Sequence, residues 1–266
     1  MQRSGKEVAE RPGTILITGA SSGIGAALAR CYAAPGLRLA LHGRDRDRLD
    51  AVAAACAAAG AETTTCASDV TCADRLAEWV AGAFAGSALD LAIANAGISA
   101  GTGSGGEDAD QTRRIFAVNV DGVFNTVLPA IQRMRAQTPR DGRRGQIALM
   151  SSLAAFRGFP GAPAYCASKA AVRVWGEALR GSLRTEGIAV SVICPGFVES
   201  PMTAVNDFPM PFLMPADWAA RIVRRGLARD RARIAFPWPN YAMIRLIAAL
   251  PPILTDRILA RLPEKT

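Results

Sequence analysis

TGASSGIG, residues 18–25, decides how this chain is read. It closes the apolar run TILITG (14–19) and opens an alanine-rich segment of helical pattern near 24–34. Gly19, Gly23 and Gly25 fall at a GxxxGxG spacing. Glycines there permit a tight turn and let backbone N–H groups approach a pyrophosphate, which a helix N-terminus favours electrically. A bare strand-to-helix turn could carry the same glycines. The strand before, the helix after and the place at the first turn of the chain favour a dinucleotide.

Outward from that turn the pattern repeats. LRLALHG (37–43), ETTTCASD (62–69), LDLAIANAG (89–97), GQIALMSS (145–152), IAVSVICPG (188–196) and RIAFP (233–237) read as strands. Helical patterning near 46–59, 73–85, 111–137, 164–186 and 216–229 separates them. Strands that are continuous apolar runs belong to a sheet covered on both faces. The alternation predicts an α/β fold with a doubly wound parallel sheet, and ligands at the carboxyl ends of its strands. With 266 residues, the chain fits one domain, 1–266.

The end of the second strand selects the dinucleotide. An acidic residue about 20 positions past the glycines would bind a ribose 2′-hydroxyl. Here the stretch reads LHGRDRD, with Gly43 where the acid would stand and Arg44 after it. A guanidinium can bind a 2′-phosphate through paired hydrogen bonds, whereas a carboxylate would repel it. NADP(H) is therefore preferred. NAD(H) remains the alternative, with Asp45 doing the acid's work.

Composition removes other classes. Half the residues are hydrophobic and 20% are charged, enough to bury a core. The formal net charge is +8, almost all from arginine. Those arginines are spread along the chain with no interleaved aromatics, which argues against nucleic acid. The six cysteines form no CxxC pair. Residues 1–13, an N-terminal extension, are polar without an apolar leader core, and no run of 18 apolar residues occurs. A reduced, cytoplasmic setting is expected. The single histidine, His42, leaves a Ser-His-Asp triad or a zinc site poorly supplied, so no metal is expected.

YCASK (165–169) places Tyr165 and Lys169 at i,i+4 on one face of a predicted helix. A free phenol has a pKa of about 10, too high for ready proton exchange at neutral pH. A neighbouring ammonium would lower it, making the pair an acid toward a carbonyl or a base toward an alcohol. The spacing alone is weak. Ser152, at the end of the predicted fifth strand, adds a hydroxyl that can bond a carbonyl oxygen as charge develops.

Taken together, TGASSGIG, Asp69-Val70, ANAG (94–97), Asn119 in VNVDG, Ser152, YCASK and PGFVES (195–200) resemble the short-chain dehydrogenase/reductase family, from about residue 14 to 237. The resemblance implies a seven-stranded Rossmann-type domain and NAD(P)-dependent hydride transfer. It implies Tyr165 as acid/base, Lys169 on the nicotinamide ribose and tuning Tyr165, Ser152 orienting the carbonyl, and Asn119 holding a water that links Lys169 to solvent. Gly19, Ser21, Ser22, Gly23, Ile24 and Gly25 would line the phosphates. Asp69 and Val70 would contact adenine, and Asn95, Ala96 and Gly97 the ribose. Pro195, Gly196, Val198 and Ser200 would hold the nicotinamide. Ala94 stands where the family usually has asparagine, and Ser200 where it often has threonine; both changes are mild. A homodimer or homotetramer is implied as well.

Two segments bear on substrate. A lid, 197–217, carries Phe197, Met202, Phe208, Met210, Phe212, Leu213 and Met214. It either covers a hydrophobic substrate or packs on its own core. The apolar C-terminal extension, 238–266, reads as a subunit or domain contact ahead of a peripheral membrane contact. The expected activity is interconversion of an apolar ketone or aldehyde with its alcohol. The alternative is a non-catalytic NADP(H)-binding sensor or scaffold on the same fold.

Overall fold

The structure is a computed structural model, and it describes residues 13–100, 106–251 and 253–255. The N-terminal extension up to residue 12, part of the glycine-rich loop after the fourth strand and the end of the C-terminal extension lie outside the described residues.

In chain order the elements are β1 (Thr14–Thr18), α1 (Gly23–Tyr32), β2 (Arg38–Gly43), α2 (Arg46–Ala58), β3 (Glu62–Ala67), α3 (Ala73–Ala83), β4 (Leu91–Ala94), α4 (Ala109–Phe116) and α5 (Gly122–Ala136). There follow β5 (Gly145–Met150), α6 (Pro163–Leu183), β6 (Ile188–Pro195), α7 (Pro201–Ala204), α8 (Ala216–Ala228), β7 (Arg233–Phe236) and α9 (Trp238–Ala249). The strands form one seven-stranded parallel sheet in the order β3-β2-β1-β4-β5-β6-β7.

Side chains alternate across this sheet, so each face buries its own core. Ile15, Ile17, Leu39 and Leu41 face Leu28 of α1, Leu49 of α2 and Val223 of α8. Leu16, Leu149, Val190 and Val192 face Val127 of α5 and Val172 of α6. β3 departs from the apolar pattern: only Cys66 is buried, because the strand is an edge of the sheet.

Several boundaries differ from the sequence reading. β4 stops at Ala94, and 95–100 run on as irregular chain. β5 stops at Met150, so Ser152 is not a strand residue; it caps a short 3₁₀ turn, Leu153–Ala155. The helix expected over 111–137 is broken by a π-turn at Ala117–Asp121. The whole rod, Ala109–Ala136, is apolar and long enough by composition to span a bilayer, but here it packs against α3, α6 and the sheet.

The chain order reverses between β1 and β4: β2 and β3 lie to one side, β5 to β7 to the other. A crevice opens at such a switch point, beyond the carboxyl ends of the strands. The turn after β1 and the irregular segment after β4 form its walls.

Candidate active site

The glycine turn is built to stay bare. Gly19 takes φ of 67° and Gly23 takes 51°, left-handed values that other residues adopt at a cost. A Cβ on Gly25 would fall well inside contact distance of the Gly19 carbonyl oxygen. Ser22 stands at the N-cap of α1, yet its side chain makes no capping bond. The first-turn N–H groups of α1 therefore keep no side-chain cap, as an anion-binding helix start requires. Asn95 braces the turn from β4: its Nδ2 donates to the carbonyls of Thr18 at 3.0 Å and Gly19 at 3.1 Å. Asn95, expected at the ribose, is thus first a strut for the phosphate loop. Gly25→Ala should lower dinucleotide affinity by roughly tenfold or more, since the loop must open to admit the methyl. Equilibrium binding of NADPH measures it.

At the end of β2 the approach is equally close. A Cβ on Gly43 would stand 3.1 Å from Ser21. Arg44 is exposed, with Nη1 4.0 Å from Asp69 Oδ2. Asp69 Oδ1 accepts from the Thr71 amide and hydroxyl. Partial burial raises the Asp69 carboxyl, but Thr71 and Arg44 outweigh it and hold the group below its usual range. Val70 is buried beside it. Asp45, the alternative acid, is committed elsewhere. It caps α2, accepting from the Arg48 amide, and pairs with the Arg48 guanidinium. His42 is buried on β2 against Ser68 Oγ and Trp79, and burial lowers its pKa to about 4.

The four residues expected to do chemistry gather at the carboxyl ends of β4 and β5. Tyr165, in the first turn of α6, stands near enough to Ser152 for that hydroxyl to favour its phenolate, and Ser152 Oγ accepts from the Ala154 amide at 3.1 Å. Lys169 is buried, 3% exposed. Its Nζ donates to the Met150 carbonyl at 3.0 Å and lies 5.8 Å from the centre of the Tyr165 ring. Burial pushes the Lys169 ammonium down to about 8. The i,i+4 spacing predicts that Lys169 lowers the tyrosine. Burial dominates instead and raises the Tyr165 phenol, with the Ser152 hydrogen bond offsetting part of the rise.

Asn119 reaches the same place from the π-turn. Its Oδ1 accepts from the Ile98 amide at 2.8 Å, and its Nδ2 donates to the Ile98 carbonyl and to Ser168 Oγ, each at 3.0 Å. Ser168 Oγ in turn donates to the Tyr165 carbonyl at 2.8 Å. Asn119 Oδ1 and Lys169 Nζ would each lie 3.1 Å from a Cβ on Gly97, so all three close on one spot. The sequence reading gives no role to Cys166, Ala167 or Ser168. Cys166 is buried, Ala167 is exposed, and Ser168 is a working link between Asn119 and α6. Ser151 was also missed: its hydroxyl donates to the Lys169 carbonyl at 2.8 Å and pins α6 to β5. Nothing in the spacing of small residues on a helix distinguishes such a link from filler.

On the remaining wall, Pro195 ends β6 and the Gly196 amide donates to the Phe236 carbonyl at 2.7 Å. Val198 is buried and bridges to Met214. Ser200 caps α7 through a capping box with Thr203, and a Cβ on Gly23 would meet its Cβ at 3.0 Å. The lid divides between its two readings. Phe197 packs edge-on against Phe208 with ring centres 6.0 Å apart, while Phe212 and Leu213 stay exposed. α9 ties to the lid through Asn240 Nδ2, which donates to the Pro211 carbonyl at 3.1 Å. A cavity of about 780 Å³ between α3 and α5 contains none of these residues.

Comparison with known proteins identifies the family and the fold. The short chain dehydrogenase family model matches residues 13–208. An uncharacterized oxidoreductase of Myxococcus xanthus is 38% identical over 250 residues, spanning 94% of this chain and 97% of that protein. One from Mycobacterium tuberculosis is 34% identical over 250 residues, spanning 91% and 96%. A short-chain dehydrogenase/reductase from Burkholderia phymatum, solved in complex with NAD, superposes with a TM-score of 0.81 at 25% identity, over 97% of this chain and 98% of its own. One from Sphingobium yanoikuyae, in complex with NADPH, gives 0.76 at 25% identity over 95% and 97%. This chain belongs to the short-chain dehydrogenase/reductase family of oxidoreductases.

Proposed function

We propose that this protein is an NADP(H)-dependent oxidoreductase interconverting an apolar ketone or aldehyde with its alcohol. The observation that carries the reading is the gathering of Ser152, Tyr165, Lys169 and Asn119 at the sheet edge that also holds the glycine turn. The residues present fit a dinucleotide: a bare turn, an uncapped helix start and an arginine at the end of β2.

When bound, the nicotinamide supplies or accepts the hydride. Tyr165 handles the proton. Its raised pKa keeps the phenol protonated at neutral pH, ready to donate to a carbonyl oxygen as negative charge builds there. The Ser152 hydroxyl stabilises that same oxygen and holds the phenol in line. Lys169, cationic below about pH 8, stabilises the phenolate left behind. Asn119 Oδ1 has a second lone pair beyond its Ile98 bond, which can hold the water of a relay from Lys169 outward. A binding-only protein needs the glycine turn but no such proton path. Consumption of NADPH with a panel of steroid, acyl-chain, sugar and quinone carbonyls tests the activity; binding without turnover across the panel would favour the sensor reading.

The nucleotide preference rests on Arg44. Asp45 is spent on capping α2, which leaves the β2 end without a carboxylate for a 2′-hydroxyl. The ratio of kcat/KM for NADPH over NADH should exceed one. Arg44→Asp should invert it, each direction being worth roughly tenfold or more for a hydrogen bond to a charged group. A wild-type ratio favouring NADH removes the preference.

A further inference from the structure

Arg44 does not stand alone at the adenosine end of the crevice. A cavity of about 260 Å³ opens there, lined by Arg44 from the end of β2, Ile98 to Ala100 after β4, and Gln111, Arg114 and Ile115 of α4. Ile98 and Ile115 give it apolar surface; Arg44 and Arg114 give it two guanidinium groups. The neighbouring arginine on the helix, Arg113, is paired with Asp110 at 3.6 Å. Among the described residues no carboxylate pairs with Arg114, and Arg44 has only the Asp69 contact at 4.0 Å. Asp69 also spends its other oxygen on Thr71.

Two cations facing one small cavity repel each other, and one distant carboxylate compensates only part of that charge. A bound dianion relieves the repulsion. We propose that Arg114 is a second cation for the adenosine 2′-phosphate of NADP(H), acting with Arg44 across this cavity. The inference rests on the NADP(H) reading above and extends it from one residue to a two-sided clamp. One arm comes from β2 and the other from α4, so the clamp also measures how far these elements stand apart. Gln111, one turn before Arg114 on α4, lines the same wall and can serve as a neutral donor.

The test uses the full chain and fragments that carry no nicotinamide, so turnover plays no part. Binding of 2′,5′-ADP and 5′-AMP is measured by calorimetry for the wild type, Arg114→Gln, Arg114→Lys and Arg44→Gln. Arg114 is exposed, so these variants keep the fold, and their melting curves check it. The expected result is that Arg114→Gln weakens 2′,5′-ADP by roughly tenfold and 5′-AMP by less than about twofold. Arg114→Lys should recover part of the loss, because it keeps the charge but not the planar fork. Raised salt should narrow the gap between wild type and Arg114→Gln. If Arg44→Gln weakens 2′,5′-ADP while Arg114→Gln does not, the clamp is overturned and the NADP(H) reading stands. Equal losses for both fragments in Arg114→Gln also overturn it, since the residue then supports adenosine alone. Equal binding of the two fragments to the wild type overturns the clamp and the nucleotide preference together.

Discussion

Tyr165→Phe is expected to lower kcat by roughly a hundredfold to ten-thousandfold, the range for losing a positioned acid or base. NADPH affinity should hardly change. The phenol hydroxyl is the group proposed to carry the proton, and the ring that remains still fills its place on α6. Ser152 keeps its bond from the Ala154 amide, so the 3₁₀ turn beneath it should survive the loss of its tyrosine partner. The stability cost should be about 1 kcal/mol, that of one hydrogen bond. Stopped turnover with retained nucleotide binding is the pattern to look for. Normal turnover in the variant would remove Tyr165 from the mechanism.

Lys169→Met should split activity from stability. The ammonium is buried, and its drop from 10.5 to about 8 corresponds to about 3 kcal/mol spent on holding the charge inside. Methionine fills similar space without charge, at the loss of the bond to the Met150 carbonyl. A net gain of about 1–2 kcal/mol in unfolding free energy is expected at neutral pH. Turnover should fall by roughly a hundredfold or more, because only Ser152 remains to stabilise the Tyr165 phenolate.

The pH dependence has a definite sign. Between about pH 8 and 10.5 the unfolded chain carries the Lys169 proton and the folded one does not. The burial cost is therefore full below about pH 8 and fades as pH rises toward 10.5. Wild-type stability gains this contribution across that window, and the variant should lack it. Carbonyl reduction by the wild type should fall as pH rises through about 8, where the ammonium is lost. Denaturant melts and rate profiles across this range read both effects. A variant that is less stable yet fully active would contradict the assignment.

The sheet was legible because its strands are apolar runs punctuated by glycine, and the elements near them followed. What escaped had a local cause in each case. Apolar residues continue on both sides of Asn119, so the helical period hides the π-turn. α7 is short, and only the Ser200–Pro201–Thr203 capping pattern announces it. Pro239 carries no signal of its own in the C-terminal extension. It falls in the first turn of α9, where a missing N–H leaves no bond unmade. The order of motifs brought Ser152, Tyr165, Lys169 and Asn119 together on paper. Ser151, Ser168 and Arg114 became visible only in three dimensions, since each acts through a partner distant in sequence.

The π-turn at Ala117–Asp121 sets the phase of everything around it. A wider turn takes in about one extra residue, so α4 and α5 lie on one axis but out of step. Deleting a single residue there would let ordinary helix run through with both flanks kept in place, because the wide turn alone takes up the extra residue. Val123, Val127 and Met134 would stay in the core, and Arg114 and Ile115 on the cavity they line. Only the turn itself would tighten, and Asn119, which it presents, would lose its bond with Ile98. Side chains along this rod can change one at a time. The wide turn cannot be closed so freely: tightening it would spare the phosphate site and undo the proton site alone.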